Sequence, residues 1–375
     1  MSELYIGLMS GTSLDGIDAG LVQFDRDQIT LLNFEYTPFS TAIRNDIQDI
    51  SQAGAAIHLE KYGAIDTQLG LLFAQACNSL LQKSNIPASS VTAIGSHGQT
   101  IYHAPEKPSA FSLQIGDPNI IAEETEITTI ADFRRRDIAA GGQGAPLVPA
   151  FHQAVFGQLF DLSKQNITIV NIGGIANITY LSANKAIGFD TGTGNTLMDF
   201  WIQKNLDKTY DKDGVWAKTG KVNPELIKAL KQDPYFKLNI PKSTGKEYFS
   251  STWLNNKLSQ FPDCTANDIQ ASLCQLTADT ITDAIKQHAP LTDHTLICGG
   301  GMHNCHLIDL ISSNMNHPVS STAEFGINPD HVEAMAFAWL ARQTMNNLSG
   351  NLTKVTGAKH PVILGGIYPG RNGLN

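Results

Sequence analysis

Basic residues are scarce in this chain. Its 375 residues include 26 Lys or Arg against 35 Asp or Glu, a formal net charge of −9, and the basic run is Arg134-Arg135-Arg136. Binding a nucleic-acid backbone needs a basic surface, so no nucleic-acid partner is expected; a small phosphorylated ligand, which needs only a local site, stays open. No stretch of about 18 apolar residues occurs, so no membrane partner or span is expected. The opening MSELYIGLMSG lacks a basic segment followed by an apolar one, and no signal peptide is expected. Five cysteines, Cys77, Cys264, Cys274, Cys298 and Cys305, are an odd number in a long chain, which suits a reducing cytoplasm better than a disulfide framework. Cys298, His303, Cys305 and His306 lack a second CxxC-type half and read as ordinary strand and loop rather than a metal site. Three catalytic or nucleotide motifs are also missing. GxxxxGK[ST] is absent, no GxGxxG follows a strand, and no GxSxG marks a nucleophile elbow.

What is present is enough apolar sequence for a sizeable core, 42% hydrophobic against 16% charged residues. The length exceeds the roughly 250 to 300 residues at which one core stops growing, so two domains are expected. YIGLM, DAGLVQF and ITLLNFEY read as three strands joined by short turns. HLEKYGAIDTQLGLLFAQACNSLLQK follows as a long amphipathic helix, and VTAIGSHG as a buried strand. ITIVNIGG, NITYLS and AIGFDTG then repeat the three-strand opening about 160 residues later. A repeat of this size implies two similar lobes with a cleft between them. TLMDFWIQKNL and DIQASLCQLTADTITDAIKQH have helical spacing, LICGGG is a buried strand, and Asn328-Pro329 is expected to cap the helix that begins with DHVEAMAFAWLARQTM.

Three glycine-rich loops carry the chemistry. In GLMSGTSLDGID, Gly7, Gly11 and Gly16 permit sharp turns and close approach to a ligand, and Ser10, Thr12 and Ser13 offer hydroxyls. Amides in such a turn form a concavity for anions, while Asp15 and Asp18 would repel bare phosphate unless a divalent cation lies between. In FDTGTGN, Asp190 ends a strand, and Gly192, Gly194 and the following helix start offer donors to phosphate oxygens; the carboxylate is placed to act as a base. Gly299, Gly300 and Gly301 give a surface on which a nucleotide base or ribose lies flat. Read alone, the opening loop is equally consistent with a tight hairpin turn.

The strings GLMSGTSLDGID, GSHGQT, QIGDP, DFRRRD, GGQGAPLVP, DTGTGN and CGGGMHN, with MAFAWLA and the closing TGA and LGG, closely resemble the anhydro-N-acetylmuramic acid kinase family from Gly7 to about Gly366. That resemblance implies an α/β fold of two duplicated ribonuclease-H-like lobes, as in the superfamily of sugar kinases, heat-shock chaperones and actin. The expected division is 1–130 with about 357–375 as one lobe and 131–356 as the other. It also implies use of ATP, Mg2+ and water to open the 1,6-anhydro bridge of anhydro-N-acetylmuramic acid and phosphorylate O6, in recycling of bacterial cell wall by a homodimer. Asp190 matches the family's catalytic aspartate. Gly11, Thr12, Ser13, Leu14, Asp15, Gly16 and Asp18 match its ATP-binding segment, joined by Gly192, Gly194, Asn195 and the glycines at 299 to 301. Asp15 or Asp18 would hold magnesium through waters. The family pattern has proline where Thr193 stands, which implies a less rigid loop.

For the sugar, His97, Gln99, Thr100, Asp117, Arg134 and Glu333 are the candidates. Arginine suits a lactyl carboxylate because its planar fork binds carboxylates bidentately. Plainer roles compete: a structural histidine, an arginine that faces solvent or pairs with Asp137, an exposed acid at a helix start. Met335, Phe337 and Trp339 read as core packing. A phosphohydrolase of the same superfamily, or an ATP-gated binding protein, would share these lobes and loops.

Overall fold

The computed structural model describes residues 2–11, 14–26, 28–51, 57–105 and 108–371. In chain order it begins with β1 (Glu3–Ser10), β2 (Gly16–Asp25), β3 (Gln28–Pro38), α1 (Thr41–Ser51), α2 (Leu59–Ser84), β4 (Val91–Ala104) and β5 (Phe111–Ile115). There follow α3 (Pro118–Thr125), β6 (Thr129–Ala131), α4 (Phe133–Ala139), α5 (Val148–Leu159), β7 (Ile167–Ile172), β8 (Ile175–Ser182), β9 (Lys185–Thr193) and α6 (Thr196–Leu206). The remainder is α7 (Pro224–Lys231), α8 (Ser251–Leu258), α9 (Ala266–His288), β10 (His294–Cys298), α10 (Cys305–Ser313), β11 (Val319–Ser321), α11 (Val332–Met345), α12 (Thr353–Thr356) and β12 (Gly366–Tyr368).

These elements build two units, Met1–Gln158 with His331–Asn375, and Leu159–Asp330. The first holds a sheet ordered β12-β6-β4-β1-β2-β3, with β5 paired to β4; the second holds a sheet ordered β11-β10-β7-β8-β9. In each, three antiparallel strands in sequence are extended by parallel strands on the side of the first: β4 and β6 beside β1, β10 and β11 beside β7. The order 3-2-1-4-5 with the same strand directions is the ribonuclease-H-like arrangement twice over, the fold that the family resemblance implied for the two similar lobes expected from the repeated strand triplet.

The unit boundaries differ from those expected. Helix α11, expected in the second lobe, packs on β1 and β4 of the first. The reason is a row of glycines in register across three strands: Gly20 pairs with Gly7, and Gly7 with Gly95. A Cβ at Gly7 would lie 1.8 Å from the Ala334 carbonyl oxygen, and one at Gly95 would lie 2.0 Å from that of Phe337. Gly7 therefore sits mid-strand as a floor for the helix, not at a ligand turn. Side chains alternate faces along a strand, so Ile6 and Leu8 point away from α11 into the core with Leu69 and Phe73 of α2. Met335 and Phe337 are each 1% exposed and fill the α11 side. The helix starts at Val332 with His331 at its N-cap, so Asn328-Pro329 is not its cap. Asn328 Oδ1 instead accepts from the Asp330 N–H, and the Pro329 carbonyl from Gly299 N–H.

Asp137, fully buried at the end of α4, ties the first unit together. It accepts from Gly144 N–H (2.8 Å), Asn351 Nδ2 (2.7 Å) and Thr356 Oγ1 (2.7 Å), so its partners are a turn and the C-terminal segment and not an arginine. Arg135 pairs with Asp132 instead. Asp137→Ala leaves three buried donors without an acceptor and should lower unfolding free energy by about 3 kcal/mol. Chemical denaturation of the variant checks this, and an unchanged midpoint would contradict it.

Candidate active site

In the second unit, Asp190 sits on β9, 7% exposed. Its position is set by a segment that runs from Asp233 to Ser250 without a strand or α-helix. Thr244 N–H donates to Asp190 Oδ2 (2.9 Å), Asp190 N–H donates to the Lys242 carbonyl (3.1 Å), and Tyr235 OH donates to the Asp190 carbonyl (2.6 Å). The segment is itself anchored at Asp233, whose carboxylate accepts from Tyr235 N–H, Tyr248 OH and Trp253 Nε1. Around the anchor, Tyr235, Tyr248, Phe249 and Trp253 pack edge to face or tilted at 5.0 to 5.8 Å. Lys242 is 8% exposed, its Nζ donating to the Tyr235 carbonyl and lying 4.6 Å from the Tyr235 ring centroid. Burial lowers the pKa of this ammonium, and the field of Asp190 partly offsets that. Burial, then the Asp190 field, pushes the Tyr235 hydroxyl far up, so it stays a donor.

The loop after Asp190 is held as tightly. Gly192 has φ 142° and takes the Phe236 ring against its open face, where a Cβ would stand 2.8 Å from Cε1. The amides of Gly194, Asn195 and Thr196 donate to the carbonyls of Gly173 and Gly174, so these donors are engaged within the loop pair. Thr193 is buried at the end of β9, and Thr277 Oγ1 bonds the Thr193 and Gly194 carbonyls (3.3 and 3.0 Å). The threonine that replaces the family's proline thus stands in a loop fixed by its neighbours. At the end of β10, Gly299 (φ 80°) and Gly301 press on Asn171 and Ile172, while a Cβ at Gly300 would meet nothing within 4 Å. Cys298 ends β10, His303 pairs with Asp330 and Cys305 opens α10. The ends of β7, β9 and β10 therefore gather Asp190 and three glycine loops at one edge of the sheet.

In the first unit the opening loop turns from β1 to β2. Thr12 and Ser13 lie outside the described residues. Leu14 N–H donates to the Gly11 carbonyl, Leu14 takes φ 59°, and Arg44 Nε holds the Leu14 carbonyl. Gly16 lies against β3, where a Cβ would stand 2.3 Å from the Thr37 carbonyl. Asp15 is exposed and Asp18 half-buried. Burial raises the pKa of Tyr36, and the fields of Asp15 and Asp18 both add to it, so the two carboxylates project onto one neighbourhood. Among the described residues, no group of three or more His, Cys, Asp and Glu forms a metal cluster. One carboxylate at the loop and one at the start of β2 fit a cation held through water and phosphate, the usual habit of Mg2+, and not a protein cage.

Beside this loop, Ser10 Oγ, 2.6 Å from Gln99 Oε1 and 3.0 Å from the Gly16 carbonyl, links β1, β2 and β4. Gln99 and His97 are buried on β4, and Thr100 Oγ1 accepts from Gln114 Nε2. Arg134 brings Nε (3.1 Å) and a terminal nitrogen (2.9 Å) to His97 Nε2 and donates to the Gly144 carbonyl (2.8 Å). Arginine only donates, so His97 is neutral with its proton on Nδ1. Burial, then Arg134, holds the His97 pKa well below its ordinary value. Asp117 serves as N-cap of α3, accepting from Asn119 N–H. Glu333 lies in the first turn of α11. Of the sugar candidates, His97 is bonded to Arg134, Gln99 and Thr100 lie next to His97 on β4 with bonds to Ser10 and Gln114, and Asp117 and Glu333 stand at two helix starts.

The sequence from residue 3 to 370 matches the family model described as anhydro-N-acetylmuramic acid kinase. The chain belongs to the anhydro-N-acetylmuramic acid kinase family. It is 48% identical over 368 residues to the enzyme of that name from Pasteurella multocida, covering 97% of this chain and 96% of that one. It is 48% identical over 376 residues to that from Photobacterium profundum, covering 98% and 99%. Among solved structures it is similar to the (R)-2-hydroxyglutaryl-CoA dehydratase component A of Acidaminococcus fermentans, at 11% identity and TM-score 0.47 over 90% of this chain and 96% of that one.

Family motifs lead to Asp190 and the glycine loops, but Tyr235, Lys242 and Thr244 fall outside the strings that carried the resemblance. The dipeptide Pro241-Lys242 within IPKSTG, between aromatic residues, was the available sign of a buried lysine.

Three histidines of the first unit make stability depend on pH. Besides His97, burial lowers His103 and His152 to about 3, with Arg134 adding to the shift at His103. Unfolded, each takes a proton below roughly pH 6.5; folded, none does until far lower. The stabilisation is complete above that pH and is lost as pH falls from it toward the folded values. Denaturation midpoints should drop steadily between about pH 6.5 and 4, and His152→Phe should flatten part of that slope. A slope unchanged by the substitution would remove His152 from the account.

Proposed function

We propose that this chain is an ATP-dependent kinase, a phosphotransferase to an alcohol group, that opens the 1,6-anhydro ring of anhydro-N-acetylmuramic acid with water and phosphorylates O6. The products are N-acetylmuramic acid 6-phosphate and ADP. The observation that carries this reading is Asp190, a buried carboxylate oriented at one oxygen by the Thr244 amide at a sheet edge lined with glycine loops. A base so fixed needs no reorganisation before it acts.

Asp190 takes a proton from the water whose oxygen bonds to C1. The C1–O6 bond breaks, O6 bonds to the γ-phosphorus of ATP, and ADP departs with the electrons of the broken phosphorus–oxygen bond. Asp190 then returns its proton to solvent. Gly11, Thr12, Ser13, Leu14, Asp15, Gly16 and Asp18 are assigned to the ATP phosphates, with Gly192, Gly194 and Asn195 shaping the second loop. The open face of Gly300, between Gly299 and Gly301, suits a base or ribose. Bound magnesium would neutralise phosphate charge, with Asp15 and Asp18 holding its waters. The His97–Arg134 pair is assigned to the sugar with Gln99 and Thr100; Asp117 and Glu333 complete the assignment. The reading further places the enzyme in the cytoplasm, as a homodimer, recycling cell-wall sugar.

Incubation with Mg-ATP and anhydro-N-acetylmuramic acid in 18O-water tests it. A 6-phosphorylated sugar with 18O at C1 supports coupled opening. ADP and phosphate without phosphosugar would indicate a phosphohydrolase, and binding without turnover an ATP-gated binding protein.

A further inference from the structure

Among the described residues, the roles assigned to the loops and to Asp190 leave one buried cation unused. Lys242 is 8% exposed in a unit whose other lysines lie at its surface or half-buried. Burying an ammonium is costly unless a charge or hydrogen bonds compensate. One hydrogen bond, to the Tyr235 carbonyl at 3.2 Å, and the faces of Tyr235 (4.6 Å) and Phe189 (6.0 Å) surround it. Its backbone carbonyl accepts from Asp190 N–H, and the residue two further on donates to the Asp190 carboxylate. Phe189 is the chain neighbour of Asp190, and Tyr235 donates to the Asp190 carbonyl. The groups that surround the Lys242 ammonium are thus bonded, directly or through one residue, to Asp190.

We propose that Lys242 is a positioning residue for Asp190: its backbone carbonyl holds the main chain of residue 190, and its buried ammonium keeps the Asp190 carboxylate ionised between turnovers. The inference rests on the reading of Asp190 as the base. A base must be unprotonated when water arrives, and a burial of this depth favours the neutral acid. The ammonium opposes that tendency without touching substrate. Burial lowers the pKa of the ammonium and the field of Asp190 opposes that lowering, so the two charges act on one another. Around this pair, Tyr235 feels Asp190 and is itself beside Tyr248, and His288 at the end of α9 feels Lys242 and Lys185. The tyrosines stay neutral in the working range. Burial, Lys242 and Lys185 lower the pKa of His288, so it adds no compensating charge near neutrality.

The test compares wild type, Lys242→Met and Lys242→Arg by phosphosugar formation from about pH 5.5 to 9. Loss of an opposite charge raises a carboxyl by roughly one to three units. Lys242→Met should therefore lower kcat about 10-fold or more at pH 6, recover toward wild type as pH rises, and leave KM for ATP and sugar within about 3-fold, since the ammonium is buried against the Tyr235 and Phe189 rings. Lys242→Arg should restore the wild-type acidic limb. A loss that is the same at every pH, or one that falls on KM, or an arginine variant no better than methionine, would overturn the proposal. Thermal unfolding of each variant accompanies the rates. If Lys242→Met melts early, Lys242→Gln, which keeps a donor for the Tyr235 carbonyl without the charge, takes its place under the same criteria. The wild-type profile separates the two levels of inference. No labelled phosphosugar from wild type removes the functional reading; phosphosugar with an acidic limb unmoved in the variant removes Lys242 alone.

Discussion

Asp190→Asn should reduce phosphosugar formation by about 10²- to 10⁴-fold, the usual contribution of a positioned general base. The substitution is nearly isosteric, and the amide oxygen of Asn can still accept the Thr244 N–H that orients Asp190 Oδ2. The Lys242 carbonyl and the Tyr235 hydroxyl bond the main chain of residue 190, so they hold the variant as they hold the wild type. What disappears is the site for the proton of the attacking water. The effect should therefore fall on kcat, with binding of ATP and sugar by calorimetry kept within a few fold. A variant that keeps more than about a tenth of the wild-type kcat would show that the proton goes elsewhere. One that loses binding in step with rate would show Asp190 acting as a structural pin of the Asp233–Ser250 segment.

That segment also shows where sequence reading stops. The strands of both units were legible because each run of apolar residues ends at a glycine or polar turn, and the three-strand opening appears twice. YIGLM, DAGLVQF and ITLLNFEY lie within β1, β2 and β3, and the long amphipathic stretch is α2 almost to the residue. Asp190 was legible because two glycines and a helix start follow it, although β9 runs on to Thr193 and does not end at Asp190 as expected. Tyr235, Lys242 and Thr244 were not, because their segment has neither helical nor strand period and reaches Asp190 only through the fold. Helix α11 is placed in the wrong unit by sequence alone for a related reason. Its apolar residues say that it packs, but which sheet accepts it depends on glycines at positions 7, 20 and 95, which meet only when three strands come into register. Read locally, Gly7 and Gly95 open motifs that suggest ligand loops.

The glycine row yields the second large effect, on stability and not on chemistry. Gly7→Ala places a methyl 1.8 Å from the Ala334 carbonyl oxygen and 2.7 Å from the Ala338 nitrogen, and Gly95→Ala places one 2.0 Å from the Phe337 oxygen. Both obstacles are helix backbone, so no side-chain rotation relieves them; α11 must lift from β1 and β4. Overpacking in a core costs about 1 to 3 kcal/mol where side chains can adjust, and a rigid obstacle puts these variants at or above that range. Lifting α11 also uncovers Met335, Phe337 and Leu340, each at most 1% exposed. Either variant should be poorly soluble or unfold at markedly lower denaturant. Gly63→Ala is the control, because its methyl meets nothing within 4 Å on the exposed face of α2. There the same chemical change removes a helix-interior glycine and should stabilise by about 0.5 to 1 kcal/mol. If Gly7→Ala and Gly63→Ala shift the denaturation midpoint alike, the glycines of β1 and β4 are not what seats α11. Opposite signs would assign the cost to the contact with the helix and not to glycine replacement itself.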